Sequence, residues 1–361
     1  MSATYGKIFK VTIFGESHSD AIGVIVDGVP SGLEIDYDFI KREMARRAPG
    51  QNSLSTPRKE DDLFEIKSGV FDGKACGTPI CAVINNTNTR AYDYHPEILR
   101  PSHADFSGKM RYNGFNDYRG GGHFSGRLTA PLVFAGAIAK QILAKEKIEI
   151  FAHIKNIGKI YDETIDVVNP DISTLRELKC KTIPVLDSAK AELMEKEILS
   201  LKGTGNSVGG SIEAVICGVN AGIGSPFFDS VESRISSMLF SVPAVKAVEF
   251  GIGTKFSELY GNEANDAFYI DNSKIKTKTN NNGGVNGGIT NGMPIAVTAC
   301  IKPTPSILME QETVNIDEMK EVIYKNGGRH DPCIVIRAVP VIESALAISM
   351  ADMLIEAKTY N

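Results

Sequence analysis

From Ala130 to Ala139 the chain runs through ten consecutive residues without a charge or a polar side chain, most of them small. With Ser125 as candidate cap, this stretch reads as a helix ending near Lys147. A helix that is apolar all round has no face to offer water, so other elements must enclose it. That requirement dominates the fold. The helix belongs at the centre of a layered structure or between subunits. The longest apolar run, interrupted by Pro131 and Gly136, is well short of the roughly 20 residues a membrane span needs.

The layers around it are legible as antiparallel strands and amphipathic helices. Lys7–Phe14 and Ala21–Val29 alternate as strands, followed by the turn Pro30-Ser31-Gly32. Asp36 caps a helix that ends near Arg47, with Phe39, Ile40 and Met44 on one face and Pro49-Gly50 as its stop. Strand patterns recur at Leu63–Val70 and Pro79–Asn85. Asn88–Gly122 has little apolar periodicity, and a loop of that length implies work to do. Further along come strand Ile148–Ile157, helix Ala189–Lys202, strand Ser211–Val219, helix Asp229–Phe240 and strands Val245–Phe250 and Met293–Ile301. A helix at Asp317–Lys325 and a long one near Val341–Lys358 complete the pattern. The strands alternate as half-buried antiparallel strands do. The expectation is an α+β fold, one domain over residues 1–361, since no linker-like composition break interrupts it.

With 39 Lys and Arg against 44 Asp and Glu, the net charge of −5 argues against a general nucleic-acid binder. The N-terminus lacks the apolar segment of a signal peptide. Six scattered cysteines suggest neither a disulfide framework nor a zinc site, and reduced thiols fit a cytoplasmic protein. No metal spacing is present.

The polar chemistry concentrates in loops. Gly15-Glu16-Ser17-His18-Ser19 only approximates a nucleophile elbow, and His18 adjoins Ser17 too closely to serve it as a base. Arg100-Pro101-Ser102-His103-Ala104-Asp105 sets an imidazole between a guanidinium and a carboxylate. Arg119-Gly120-Gly121-Gly122-His123-Phe124-Ser125-Gly126-Arg127 is either a flexible entry to the central helix or a close-approach loop for an anion. Asn282–Gly288 has glycines that could lie against an aromatic ligand. Lys302-Pro303-Thr304-Pro305-Ser306 suits a phosphate, and Gly327–Pro332 supplies another Arg, His and Asp. Together these point to one multi-part site for anions, in an enzyme acting on a phosphorylated or polyanionic small molecule. The residues alone do not specify the reaction.

Several of these motifs, in this order from residue 5 to about 350, resemble the chorismate synthase family. They are Gly15–His18 with Asp27–Pro30, Arg100–Asp105, Gly121–Arg127 through Ala137, Gly287-Gly288-Ile289, Lys302–Thr304, and Arg329–Cys333 through Ala345. The resemblance implies a β-α-β sandwich with helices layered between antiparallel sheets, assembled as a homotetramer. It implies anti-1,4-elimination of phosphate from 5-enolpyruvylshikimate 3-phosphate, with reduced FMN required and no net redox change. In that family His18, His103 and Asp331 match catalytic positions. His123, Phe124, Ser125, Ala244, Gly287, Lys302, Pro303, Thr304, Pro305, Ser306 and Arg329 match FMN-contact segments. Arg46, Arg47, Arg100 and Arg127 match arginines near the substrate or NADP phosphate. Ala48 and Ser53 stand where the family carries arginine, so NADPH is expected to act only indirectly, through a separate reductase. The alternative is an FMN-dependent NAD(P)H oxidoreductase acting on a phosphorylated small molecule; a phosphatase and a non-catalytic binding protein are weaker readings.

Overall fold

The computed structural model describes residues 3–50, 54, 60–87, 94–327 and 331–360. The helices are α1 (Tyr37–Arg47), α2 (Asp105–Arg111), α3 (Thr129–Lys145), α4 (Ile172–Leu178), α5 (Ser188–Thr204), α6 (Val231–Ser241), α7 (Gly261–Ala264) and α8 (Val335–Tyr360). The main strands form two antiparallel five-stranded sheets. The first has strand order Thr4–Tyr5, Lys10–Gly15, Ala21–Asp27, Ile80–Asn85, Phe64–Ser68. The second runs Val245–Phe250, Ile295–Ile301, Gly210–Cys217, Glu149–Ile157, Ile160–Tyr161.

Helices α3 and α8 pack on each other between the sheets, α3 against the first and α8 against the second. This is the β-α-β sandwich expected from the sequence. Every residue of α3 from Thr129 to Lys140 is buried, which is why it needs no polar face. At their crossing a Cβ on Gly136 would lie 2.2 Å from the Ser344 Cβ, so only glycine permits this approach. Two helical stretches, Arg119–Lys145 and Val335–Thr359, are in fact long and apolar enough to cross a membrane by length and composition. Their apolar windows are 78% and 89% buried inside the fold. The ten-residue count above missed this because both helices continue as apolar beyond any single uninterrupted run.

Four expectations change. Asp317–Lys325 is not helical: Glu310–Asn315 and Lys320–Lys325 form an antiparallel hairpin. The Asn88–Gly122 stretch includes helix α2 and a 3-10 turn at Arg119–Phe124, while residues 88–93 lie outside the described part. Helix α8 begins at Val335, with Pro340 inside it, rather than near Val341. The central strands of the second sheet are buried on both faces, because α4 and its loop cover the outer side through a small cluster of Phe151, Leu175, Leu178 and Val215.

That outer cover is fastened by a buried imidazole. His153, fully buried, sits 2.9 Å from Asp162 through Nδ1 and 3.0 Å from Glu213 through Nε2. Asp162 also accepts from the Leu186 and Asp187 amides, and Glu213 from Ile165. Burial pushes the His153 pKa down, but the two carboxylates overcome it and hold it above the ordinary value.

Candidate active site

One large cavity of about 1090 Å³ opens where the loops after both sheets meet α3 and α8. Its walls bring together most of the residues singled out in the sequence. Arg47, Arg100 and Arg127 line it, as do His103, His123, Phe124 and Ser125. Ala244, Lys302, Thr304, Pro305, Ser306 and Asp331 complete that set.

The Arg100–Asp105 loop is locked by its own charges. Arg100 donates to Asp105 through Nε at 2.8 Å and Nη2 at 2.7 Å. His103 lies within it, with Nδ1 3.1 Å from the Pro101 carbonyl, an acceptor only. The hydrogen is therefore assigned to Nδ1, and the neutral ring accepts at Nε2 from the Ser306 hydroxyl 2.7 Å away. Burial, reinforced by Arg100, pushes the His103 pKa down to about 4. Lys302 reaches across to the Ser102 carbonyl at 2.7 Å, joining the two loops. Burial and then Lys246 hold the Lys302 ammonium below its ordinary value.

Opposite stands a pair of arginines organised by a residue the sequence reading missed. Asp62, almost wholly buried, bonds Arg47 with one carboxylate oxygen and Arg127 with the other. Burial pushes the Asp62 carboxyl up, and the two guanidinium groups overcome it and hold it below the usual carboxylate range. Arg127 is further held by Asn86 at 3.1 Å and Glu60 at 3.2 Å. The Glu60-Asp61-Asp62 acid run was the available signal, but pairing with arginines 15 and 65 residues away left no local trace. Arg337 was missed likewise. It donates to Asp331 at 3.0 Å and, through Nε, to the Arg47 carbonyl at 3.1 Å.

The triple glycine is a rigid turn. Gly120, Gly121 and Gly122 all hold positive φ, and a Cβ on Gly120 would strike the His18 ring at 2.1 Å. His18 is not in the cavity lining. It lies behind Gly120, 8% exposed, edge-on to the Tyr94 ring at 5.3 Å, and Arg100 stands over that same ring. His123 donates from Nδ1 to the Gly15 carbonyl at 2.8 Å, tying the turn to the end of a strand. Ser125 caps the next turn by accepting from the Arg127 amide. Ala244 holds φ +74 in the cavity wall, a left-handed conformation that is costly for alanine.

Three further residues are placed differently. Arg46 does not line this cavity: its guanidinium pairs with Glu43 at 3.1 Å and Glu343 at 2.7 Å between α1 and α8. Helical periodicity explains it, since Arg46 and Arg47 project about 100° apart and only Arg47 turns toward the site. Pro303 is skipped by the lining while its neighbours belong to it. Gly287 sits in the small hairpin Val285–Asn286/Ile289–Thr290, outside the lining. Arg329 and Ser53 lie outside the described residues.

A sandwich that gathers four arginines, two lysines, two imidazoles and hydroxyls around one deep cavity defines an enzyme of small, anionic substrates. The chorismate synthase family model matches residues 9–355. The chain is 44% identical to the chorismate synthase of Thermococcus kodakarensis over 360 residues, covering 99% of this chain and 98% of that one. With the Methanocaldococcus jannaschii chorismate synthase it shares 42% over 364 residues, covering 98% and 96%. A crystal structure of chorismate synthase superimposes with a TM-score of 0.77 at 28% identity, covering 98% of this chain and 93% of that one. The chain belongs to the chorismate synthase family, whose members are carbon–oxygen lyases that eliminate phosphate. These likenesses do not favour the oxidoreductase alternative.

Proposed function

We propose that this chain converts 5-enolpyruvylshikimate 3-phosphate into chorismate in the large cavity. The C3–O bond breaks, phosphate leaves, and the C6 hydrogen is lost as its bonding pair enters the new diene, so nothing is oxidised overall. The observation that carries this reading is the pair of arginines, Arg47 and Arg127, fixed by one buried carboxylate in the wall of a cavity large enough for two ligands.

Reduced FMN is the cofactor of the proposed reaction, and when bound it supplies the electron density that eases phosphate loss. The residues fit such a group. Thr304 Oγ1 and Arg127 Nη2 are buried without a hydrogen-bond partner among the described residues, as groups awaiting a polar ligand would be. Lys302, Thr304 and Ser306 would hold the flavin phosphate, while Arg47, Arg100 and Arg127 take the substrate's anionic groups. His103, neutral above about pH 4, offers Nε2 as a proton acceptor once Ser306 turns away. His18 is assigned to the leaving phosphate from behind Gly120. Asp331, oriented by Arg337, is assigned to the departing C6 hydrogen.

The same reading takes residues 1–361 as one domain, supported by a core cluster that runs from Phe9 to Leu354. It places the protein in the cytoplasm as a homotetramer. Exposed Phe227, Phe228, Phe268, Ile270 and Ile275 supply apolar surface for subunit contacts.

The test is anaerobic turnover with photoreduced FMN and no NADPH. Chorismate absorbance and phosphate should appear in equal amounts. Phosphate release without flavin would instead indicate a phosphatase. Bleaching of oxidised FMN by NADPH, with no added reductase, would overturn the assignment of flavin reduction to a separate protein.

A further inference from the structure

A second cavity of about 310 Å³ lies between the C-terminal ends of α1 and α4 and the first turns of α8. Its cationic lining consists of Arg46, Lys179, Lys181 and Arg337, and no acidic side chain lines it among the described residues.

The charge around it does not balance. Behind the wall, Glu43 and Glu343 face Arg46 and Lys140, with Glu343 2.7 Å from Arg46 and 2.6 Å from Lys140. Burial pushes the Glu343 carboxyl up, but Arg46, Lys140 and Lys179 together hold it low. Two carboxylates thus answer three cations. Lys179 is the one left over: among the described residues no carboxylate pairs with it, and its ammonium rests over the Phe151 ring at 4.7 Å. Burial holds its pKa below the ordinary lysine value, as befits a cation short of a counter-ion. Lys181 donates to a neutral acceptor, the Val185 carbonyl, at 3.1 Å.

We propose that this second cavity binds a small dianion, a phosphate group or a dicarboxylate, through Lys179 and Lys181. A volume of about ten water molecules suits a ligand of that size. Arg337 lines both cavities and holds Asp331 on the other side. It therefore forms the shared wall between this site and the large one. The inference does not depend on the reaction assigned above, because the binding is read as heat.

Inorganic phosphate and, separately, succinate are titrated calorimetrically into the wild-type protein and into K179M/K181M. Neither lysine lines the large cavity, so any phosphate bound there is common to both proteins. Wild type should show an additional site for at least one of the anions. The double variant should weaken that site at least tenfold, since each ammonium contributes a charged hydrogen bond. Which anion binds identifies the source. Lys181 is exposed, so K181Q alone keeps the fold and must itself weaken binding. Equal stoichiometry and affinity in wild type and variants, or no additional site for either anion, overturns the proposal.

Discussion

Asp62 shows how one carboxylate sets a site it does not face. Replacing it by asparagine has two opposed effects. Losing a negative charge about 6 Å from a bound anion would favour binding by roughly 3 kcal/mol at an effective dielectric near 20. Losing two charged hydrogen bonds, each about 1.5–3 kcal/mol, frees two mutually repelling guanidinium groups. The second effect is the larger, so Asp62→Asn should raise KM about tenfold or more with a smaller change in kcat; an unchanged KM would show that Arg47 and Arg127 hold their positions unaided. His103 gives a second outcome at this scale. Its pKa falls from 6.5 to about 4 on folding, so between those values the unfolded chain binds the extra proton. Stability should therefore rise with pH across that window and fall as acid is added. An NMR titration of the His103 ring in the folded protein should have its midpoint near 4, and His103→Gln should lose part of the acid sensitivity. A folded-state midpoint near 6.5 would contradict burial and the neighbouring Arg100 as the cause.

Among elements, the cover over the second sheet carries a pH dependence of the opposite sign. The folded pKa of His153 is raised, so its contribution is complete below the unfolded value of about 6.5 and disappears as pH rises through the folded value. His153→Leu leaves Asp162 and Glu213 buried without their shared cation, at a cost of about 3–5 kcal/mol. The gap in Tm between wild type and variant should be widest near pH 6 and narrow toward alkaline pH; a gap independent of pH would mean that the ring packs there uncharged. Elements with strong local signals were legible in the sequence. Asp36 does cap α1, accepting from the Phe39 amide, and strand Val245–Phe250 stands where its alternation placed it. The hairpin Glu310–Asn315/Lys320–Lys325 was not, because its charged strands are half exposed and bury no continuous face. Motif loops announced the cavity through glycine, histidine and arginine in short spans. Asp62, Arg337 and the exclusion of Arg46 depend on contacts between distant segments, and no local pattern encodes them.

For the whole molecule, the exposed apolar residues bear on assembly. Phe268, Ile270 and Ile275 share one face of the hairpin Phe268–Asp271/Lys274–Thr277, where Ile270 stands opposite Ile275. Phe228 is 93% exposed. If these surfaces join subunits of a tetramer, F228E/I270E should sediment as smaller species while the wild type sediments as four chains; a monomeric wild type would remove the proposal. The placement of α8 has a different consequence. It follows every other described helix and strand in the sequence, yet it occupies the middle of the sandwich and supplies Arg337 to the cavity. While the ribosome is still translating, α3 has no partner for the face it presents to α8, and the second sheet is left with an open apolar side. Nascent chains stalled before residue 335 should therefore be protease-sensitive and bind chaperones, and protection should appear only after α8 has cleared the exit tunnel. Protection of the shorter nascent chains would show that the first sheet and α3 close on their own.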